Sequence, residues 1–307
     1  MDTFIQQIIN GLVLGSIYAL VALGYTMVYG ILGLINFAHG EVVMIGALTA
    51  LTVIKLLANS GLPGIVVVLL GLAAAVPVCM ALGFTIERIA YRPLRNAPRL
   101  APLITAIGVS IVLQQLAMIF WGRNYHAFPP ILPMTGRDIV GAHITDVQIA
   151  IVLLAVAIMA GLMLLVNRTR LGRAMRATAE NPQIAGLMGV NINVIISATF
   201  LIGSALAAVA GVMVSANYSI AHYHMGFILG LKAFTAAVLG GIGNLPGAML
   251  GGVLLGLIES LGAGYIGDLT GGFLGSHYQD VFAFFVLILV LVFRPSGLMG
   301  EKVAERA

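Results

Sequence analysis

Charge is nearly missing from this sequence: Asp, Glu, Lys and Arg together make up 8% of its 307 residues, while 60% are hydrophobic. No water-facing surface of a soluble domain tolerates that balance, so the solvent this chain is built for is a bilayer. Cysteine is all but absent too. Cys79 is the one copy, and it lies inside an apolar stretch. Without a partner it excludes a disulfide framework and a cysteine-based metal site, which leaves helix packing as its expected role. Residues 1–10 hold no Lys or Arg. The positive region of a cleavable secretory signal is therefore missing, and the first apolar run is expected to stay as a span.

Motifs for soluble chemistry are missing as well. There is no Gly-x4-Gly-Lys-[Ser/Thr], so the chain does not itself cradle nucleotide phosphates, and any use of ATP needs another subunit. His-Glu-x-x-His and Gly-x-Ser-x-Gly do not occur, which removes the common metalloprotease and hydrolase signatures. His39-Gly40-Glu41 matches half of a zinc-deaminase signature, but its Pro-Cys-x-x-Cys half is absent. No catalytic residue, metal site or cofactor is assigned to this chain.

What is present is one apolar run after another. At about 20 residues per crossing the length holds roughly eight to ten spans. They are placed near 4–29, 41–57, 64–86, 101–121, 148–167, 194–216, 227–239, 247–265 and 281–293, the seventh being short for a full crossing. Most bases fall in three groups: Arg88, Arg92, Arg95 and Arg99; Arg168, Arg170, Arg173 and Arg176; Arg294, Lys302 and Arg306. The formal charge of +4 is thus concentrated between spans, without the aromatic interleaving of a nucleic-acid surface, and marks cytoplasmic loops. Segments 59–63, 122–147, 217–225 and 266–280 then lie outside, with the N-terminus outside and the C-terminus inside. The expected fold is an all-α, polytopic transmembrane helical bundle, one domain over 1–307.

Polar residues interrupt the apolar background at a few places. Val28-Tyr29-Gly30, Gly33 and Asn36 to Gly40 are echoed by Val238-Leu239-Gly240, Gly243 and Asn244 to Gly247. The echo reads as an internal repeat with discontinuous helices, whose free ends can bind solute, or as plain helix breaks at membrane-edge turns. Asn36, His39 and Glu41 form the densest polar cluster. Burying an ionisable group in a bilayer costs about 2.5–3.5 kcal/mol unless it is paired or faces water. They lie on a solute path, with Asn244 and Glu259, or they cap and pair at the cytoplasmic interface. Lys232 pairs across helices, lines an aqueous cavity or, as the favoured expectation, snorkels to an interface. Glu259 faces the outer end or an aqueous cavity, or pairs across helices. Glycines at four-residue spacing, Gly243, Gly247 and Gly251, Gly252 and Gly256, Gly11 and Gly15, are read as helix packing within the chain.

Outside the spans, 168–193 is the most informative segment. Asn181 can cap a short helix with Pro182 at its first position, Ile184, Leu187 and Met188 supply an apolar stripe, and Gly189 can close it. Such an element lies on the membrane surface or fits a groove on a partner.

Several long stretches together resemble a known family over nearly the full length. They are Gly24-Tyr25-Thr26-Met27-Val28-Tyr29-Gly30 running into Ile35-Asn36-Phe37-Ala38-His39-Gly40-Glu41, Glu87-Arg88-Ile89-Ala90-Tyr91-Arg92-Pro93, Lys232 to Gly243, Gly172 to Asn181, Ala185 to Asn191, and Arg294-Pro295-Ser296-Gly297. The family is the LivH-type permeases of the high-affinity branched-chain amino-acid ABC importers. The resemblance implies a multi-pass protein of the bacterial inner membrane that works with a second related permease subunit, two ATP-binding subunits that hydrolyse the ATP, and a periplasmic binding protein delivering leucine, isoleucine or valine. It also implies that 173–191 docks on the ATPase, with Glu180, Ala185 and Gly189 at the loop's acidic, small and glycine positions and Arg173, Arg176 and Asn181 beside them. A substrate carboxylate could use the half-helix ends near Gly40 or Gly247. The same superfamily pattern suits urea, amides or other amino acids, and a passive channel for a small neutral solute is the alternative from another class.

Overall fold

The computed structural model describes residues 2–95, 97–98, 100–129, 136–139, 141–269 and 278–300. Helices dominate them, because lipid offers no hydrogen bonds and a helix satisfies its own backbone. In order they are α1 (Asp2–Leu32), α2 (His39–Leu57), α3 (Gly64–Ile86), α4 (Leu100–Trp121), α5 (Asp146–Arg168), α6 (Arg170–Glu180), α7 (Pro182–Leu187), α8 (Ile192–Tyr218), α9 (Met225–Gly240), α10 (Leu245–Leu269) and α11 (Gln279–Phe293). Each of the nine expected spans coincides with a helix. Seven of the helices described are long and apolar enough to cross a membrane. The other two, α9 with 16 residues and α11 with 15, reach only about 24 Å at 1.5 Å per residue, short of a core of about 30 Å.

Helices α1, α2 and α8 form the interior, where Tyr18, Leu20, Met44, Leu48 and Phe200 are fully buried. Around them α3, α4, α5 and α11 turn apolar side chains outward, among them Leu69, Ile104, Ile119, Leu153 and Val292. In water such a surface would aggregate; in lipid it is the wetted face. Cys79 packs inside, its thiol 3.4 Å from the Val42 carbonyl.

Two antiparallel strand pairs lie at one end. β1 (His126–Ala127) pairs with β4 (Ile220–Ala221), and β2 (Gly136–Ile139) with β3 (Ala142–Thr145). The first pair joins two segments that the charge pattern assigns to the same, outer side. At the other end α3 continues through a π-helical turn, Glu87–Tyr91, and a 3-10 turn, Arg92–Leu94.

The four-residue glycine spacing is used inside the chain, where α1 lies against α10. A Cβ added at Gly11 would come 2.8 Å from Leu257 Cα, and one at Gly15 would come 2.7 Å from Val253 Cα. At Gly256 it would land on the Gly15 backbone, and at Gly252 on Ala19. Backbones this close leave no side chain free to give way. Gly256→Val is therefore expected to cost at least the 1–3 kcal/mol typical of overpacking, roughly. The measurement is the melting midpoint in detergent, with Gly108→Ala, which meets open space, as the silent control; an unchanged midpoint for Gly256→Val would contradict this packing.

Candidate functional site

Three buried carboxylates, Glu41, Glu87 and Glu259, organise the polar interior, and each is held differently. Glu41 sits in the first turn of α2, which begins inside the bundle alongside α1. After α1 ends at Leu32, Gly33 turns the chain with φ +63°, and 33–38 runs back alongside the helix. His39 consequently packs on Gly24, eight residues or about 12 Å inward from the end of α1. Its ring meets the edge of Tyr25 at 4.9 Å. Asn36 Oδ1 receives the Tyr91 hydroxyl at 3.2 Å, and the Ile35 carbonyl lies 3.1 Å from the same hydroxyl. Glu41 Oε1 accepts from Gln114 Nε2 at 2.7 Å and from Ser110 Oγ at 3.1 Å, both on α4. Its Oε2 is buried without a hydrogen-bond partner. That oxygen faces α9, where a Cβ at Gly226 would stand 2.8 Å from it.

Glu259, on α10, accepts from the Tyr18 hydroxyl at 2.8 Å and from Lys232 Nζ at 2.7 Å. Lys232 also lies 2.7 Å from Asp280 Oδ1, so one ammonium on α9 ties α10 to α11. Of the readings open for Lys232, pairing across helices is the one seen here: the ammonium is held between two carboxylates. Asn244 lies in the tight turn between α9 and α10. Its Oδ1 accepts from Gly247 N at 2.9 Å, capping α10, and its Nδ2 donates to the Met299 carbonyl at 3.0 Å. The C-terminal segment is pinned there, with Leu298 and Met299 donating to Leu239 and Gly240 at 2.9 Å each.

Glu87 begins the π-helical turn at the arginine-rich end. Arg92 Nε lies 3.2 Å from its Oε1, Arg95 contacts the same oxygen, and Ser197 Oγ donates to Oε2 at 2.8 Å. Arg95 also reaches Asn193 Oδ1 at 2.6 Å. The carboxylate thereby clamps the end of α3 to the start of α8.

Just before α8 lies the segment 168–193. Thr169 caps α6, accepting from Gly172 N at 3.0 Å, and Arg176 donates to the Val166 carbonyl, which braces α6 against α5. Asn181 Oδ1 accepts from Gln183 N and Ile184 N at 3.0 Å each. Gly189 stands at φ +88°, donates to Gly186, and lets Val190 donate to Ala185 at 3.0 Å. That is a Schellman ending, which needs a residue without a Cβ penalty at the left-handed position. Ala185 is buried, while Leu187 is 89% and Met188 81% exposed. Arg173 and Glu180 are also exposed. A cavity of about 110 Å³ separates α6 from the α9–α10 turn, lined by Thr26, Met27, Met175, Ala179 and Gly243 among others.

The family of branched-chain amino acid transport system permease components matches residues 7–291. This chain belongs to that family. The permease is 50% identical to the high-affinity branched-chain amino acid transport system permease protein BraD of Pseudomonas aeruginosa, over 99% of this chain and 98% of that one. Against the permease protein LivH of Escherichia coli the identity is 45%, over 99% and 97%. In solved structures, PsaBC from Streptococcus pneumoniae in complex with Fab aligns over 95% of this chain and 91% of its own at TM-score 0.46 and 14% identity.

Among the residues singled out from sequence, the permease brings Asn36, His39 and Glu41 together at the start of α2. Glu259 and Asn244 lie in separate polar centres. Of the six residues singled out from sequence for docking, Arg176, Asn181, Ala185 and Gly189 shape the α6–α7 element, whereas Arg173 and Glu180 are exposed at its surface. Sequence reading missed the partners. Ser110 and Gln114 sit on a helix whose other polar side chains are Thr105 and Gln115, and the polar pair one turn apart was the available signal. Nothing in the spacing joins Glu87 to Ser197 or Lys232 to Asp280.

Proposed function

We propose that this permease is the transmembrane subunit of an ATP-driven importer for leucine, isoleucine and valine in the bacterial inner membrane. The observation that carries the reading is its near full-length similarity to branched-chain amino acid permeases. Its partners are a second related permease subunit, two ATP-binding subunits that hydrolyse the ATP, and a periplasmic substrate-binding protein; this chain binds no cofactor. Helix α7 supports that assembly, because its apolar tip, Leu187 and Met188, stands uncovered beyond the arginine-rich end and fits a groove on an ATPase.

The mechanism follows from what the docking element touches. ATP binding draws the two ATPases together and displaces α6 and α7. Movement passes to α8 through Asn191, whose side chain caps that helix by accepting from Val194 N at 3.3 Å. From α8 it reaches α3 through the Glu87 clamp. The spans then rock between outward and inward access. Solute passes Asn36, His39 and Glu41 at the α2 start, while Glu259 and Asn244 hold the walls by tying α10 to α9, α11 and the C-terminal segment.

In proteoliposomes containing all subunits, leucine uptake is expected to need both internal ATP and external binding protein. Replacing Leu187 and Met188 together by Asp leaves the fold intact, since both are exposed and such substitutions stay within about 0.5 kcal/mol. Uptake is nevertheless expected to vanish and the ATPase to stop co-purifying. Solute equilibrating without ATP would replace the importer by a channel, and normal uptake by the double variant would move docking elsewhere.

A further inference from the structure

Of the three buried carboxylates among the described residues, two are matched by cations: Glu87 by Arg92 and Arg95, and Glu259 by Lys232. Glu41 has no ion pair among the described residues, although it is fully buried. Ser110 and Gln114 fix one of its oxygens and leave the other without a donor. A buried carboxylate in this state carries a free-energy cost that a donor or cation reaching its open oxygen would relieve.

The free oxygen looks onto a seam of unusual make-up. Gly40 on α2 meets Gly226 and Gly230 on α9, with Cβ positions that would fall on the opposing backbone. The Tyr25 hydroxyl stands at the same place, 2.9 Å from a Cβ placed on Gly230. No side chains interlock across these glycines, so the two helices separate or slide without repacking a core. Both helices also start here, and the partial positive charge of the α9 N-terminus holds the carboxylate while no cation is present.

We propose that Glu41 is the receptor for the ammonium group of the transported solute, bared when α2 and α9 part and closed over when they meet. The proposal rests on the amino-acid importer reading and specifies its recognition chemistry. Gln114 and Ser110 orient the carboxylate, Oε2 takes the ammonium as a charge-assisted hydrogen bond, and the glycine seam admits a small solute without a side-chain gate. Carriage of uncharged solutes of similar size is disfavoured, because they leave the buried charge uncompensated.

The test uses the wild-type complex with its ATPases, so folding of a variant does not limit it. The complex is treated with a carbodiimide that labels carboxyl groups, nucleotide-free and trapped with ATP and vanadate, and Glu41 modification is read by mass spectrometry. Labelling in at least one state is expected. Leucine and leucinamide, which carry the ammonium, should protect Glu41, and isocaproate, which lacks it, should not. Absence of labelling in every state, equal protection by isocaproate, or protection by potassium chloride alone would overturn the proposal. In uptake assays Glu41→Gln should lower leucine transport on the order of 10- to 100-fold, the loss of a hydrogen bond to a charged group, with ATP hydrolysis retained. Uptake by that variant within about twofold of wild type, well inside the range expected for such a bond, would also overturn it. ATP-independent uptake by the wild type would remove the importer reading alone, because protection of Glu41 is read as ligand binding and not as transport.

Discussion

Lys232→Met is expected to leave little folded permease in the membrane. The ammonium lies 2.7 Å from Glu259 Oε1 and 2.7 Å from Asp280 Oδ1, and it is the one cation holding α9, α10 and α11 together at this depth among the described residues. Methionine keeps the length and the apolar stem but strands Glu259, which is 1% exposed. Removing one partner of a buried pair costs about 3–5 kcal/mol, a large part of the 5–15 kcal/mol, roughly, that folded proteins have in hand. Tyr18 stays hydrogen-bonded to the stranded carboxylate and recovers only part of this. The melting midpoint in detergent should fall steeply, and combining Lys232→Met with Glu259→Gln should restore much of it, because the second change removes the uncompensated charge. A midpoint for Lys232→Met equal to wild type would mean that the network carries no stability.

Glu87→Ala is expected to uncouple ATP hydrolysis from transport. Without the carboxylate, Arg92 and Arg95 lose their shared anchor and Ser197 loses its acceptor, which leaves the Arg95 to Asn193 bond at 2.6 Å and the Arg92 to Ser197 bond at 3.1 Å as the polar links between the end of α3 and the start of α8. Each lost bond to a charged group is worth about 1.5–3 kcal/mol. Helix α7 and its exposed tip are untouched, so the ATPase should still bind and turn over. Displacement of α8 then carries the end of α3 less firmly with it, and leucine accumulated per ATP hydrolysed should fall on the order of 10- to 100-fold, the ratio those energies imply. An unchanged ratio would show that coupling bypasses this clamp.

Much of the local form of α7 was legible in the sequence because its determinants are local. Asn181, Pro182 and Gly189 lie within nine residues of one another, and their capping and left-handed roles follow from side-chain chemistry alone. The α1–α10 contact was half legible: spacing announced small-residue packing, but nothing in Gly11 and Gly15 named Gly252 and Gly256 as their partners.

The sequence by itself determined the solvent, the helical class and the positions of the nine apolar helices, since apolar length acts within a single span. The family also followed from linear stretches. Only the tertiary structure decided which buried charges are paired. Glu41 meets Gln114 on another helix, Glu87 meets Ser197, and Glu259 meets Lys232 and Tyr18. Those contacts join residues from 27 to 241 positions apart. They depend on which helix faces align, and helical periodicity in a chain apolar on nearly every face carries almost no record of that.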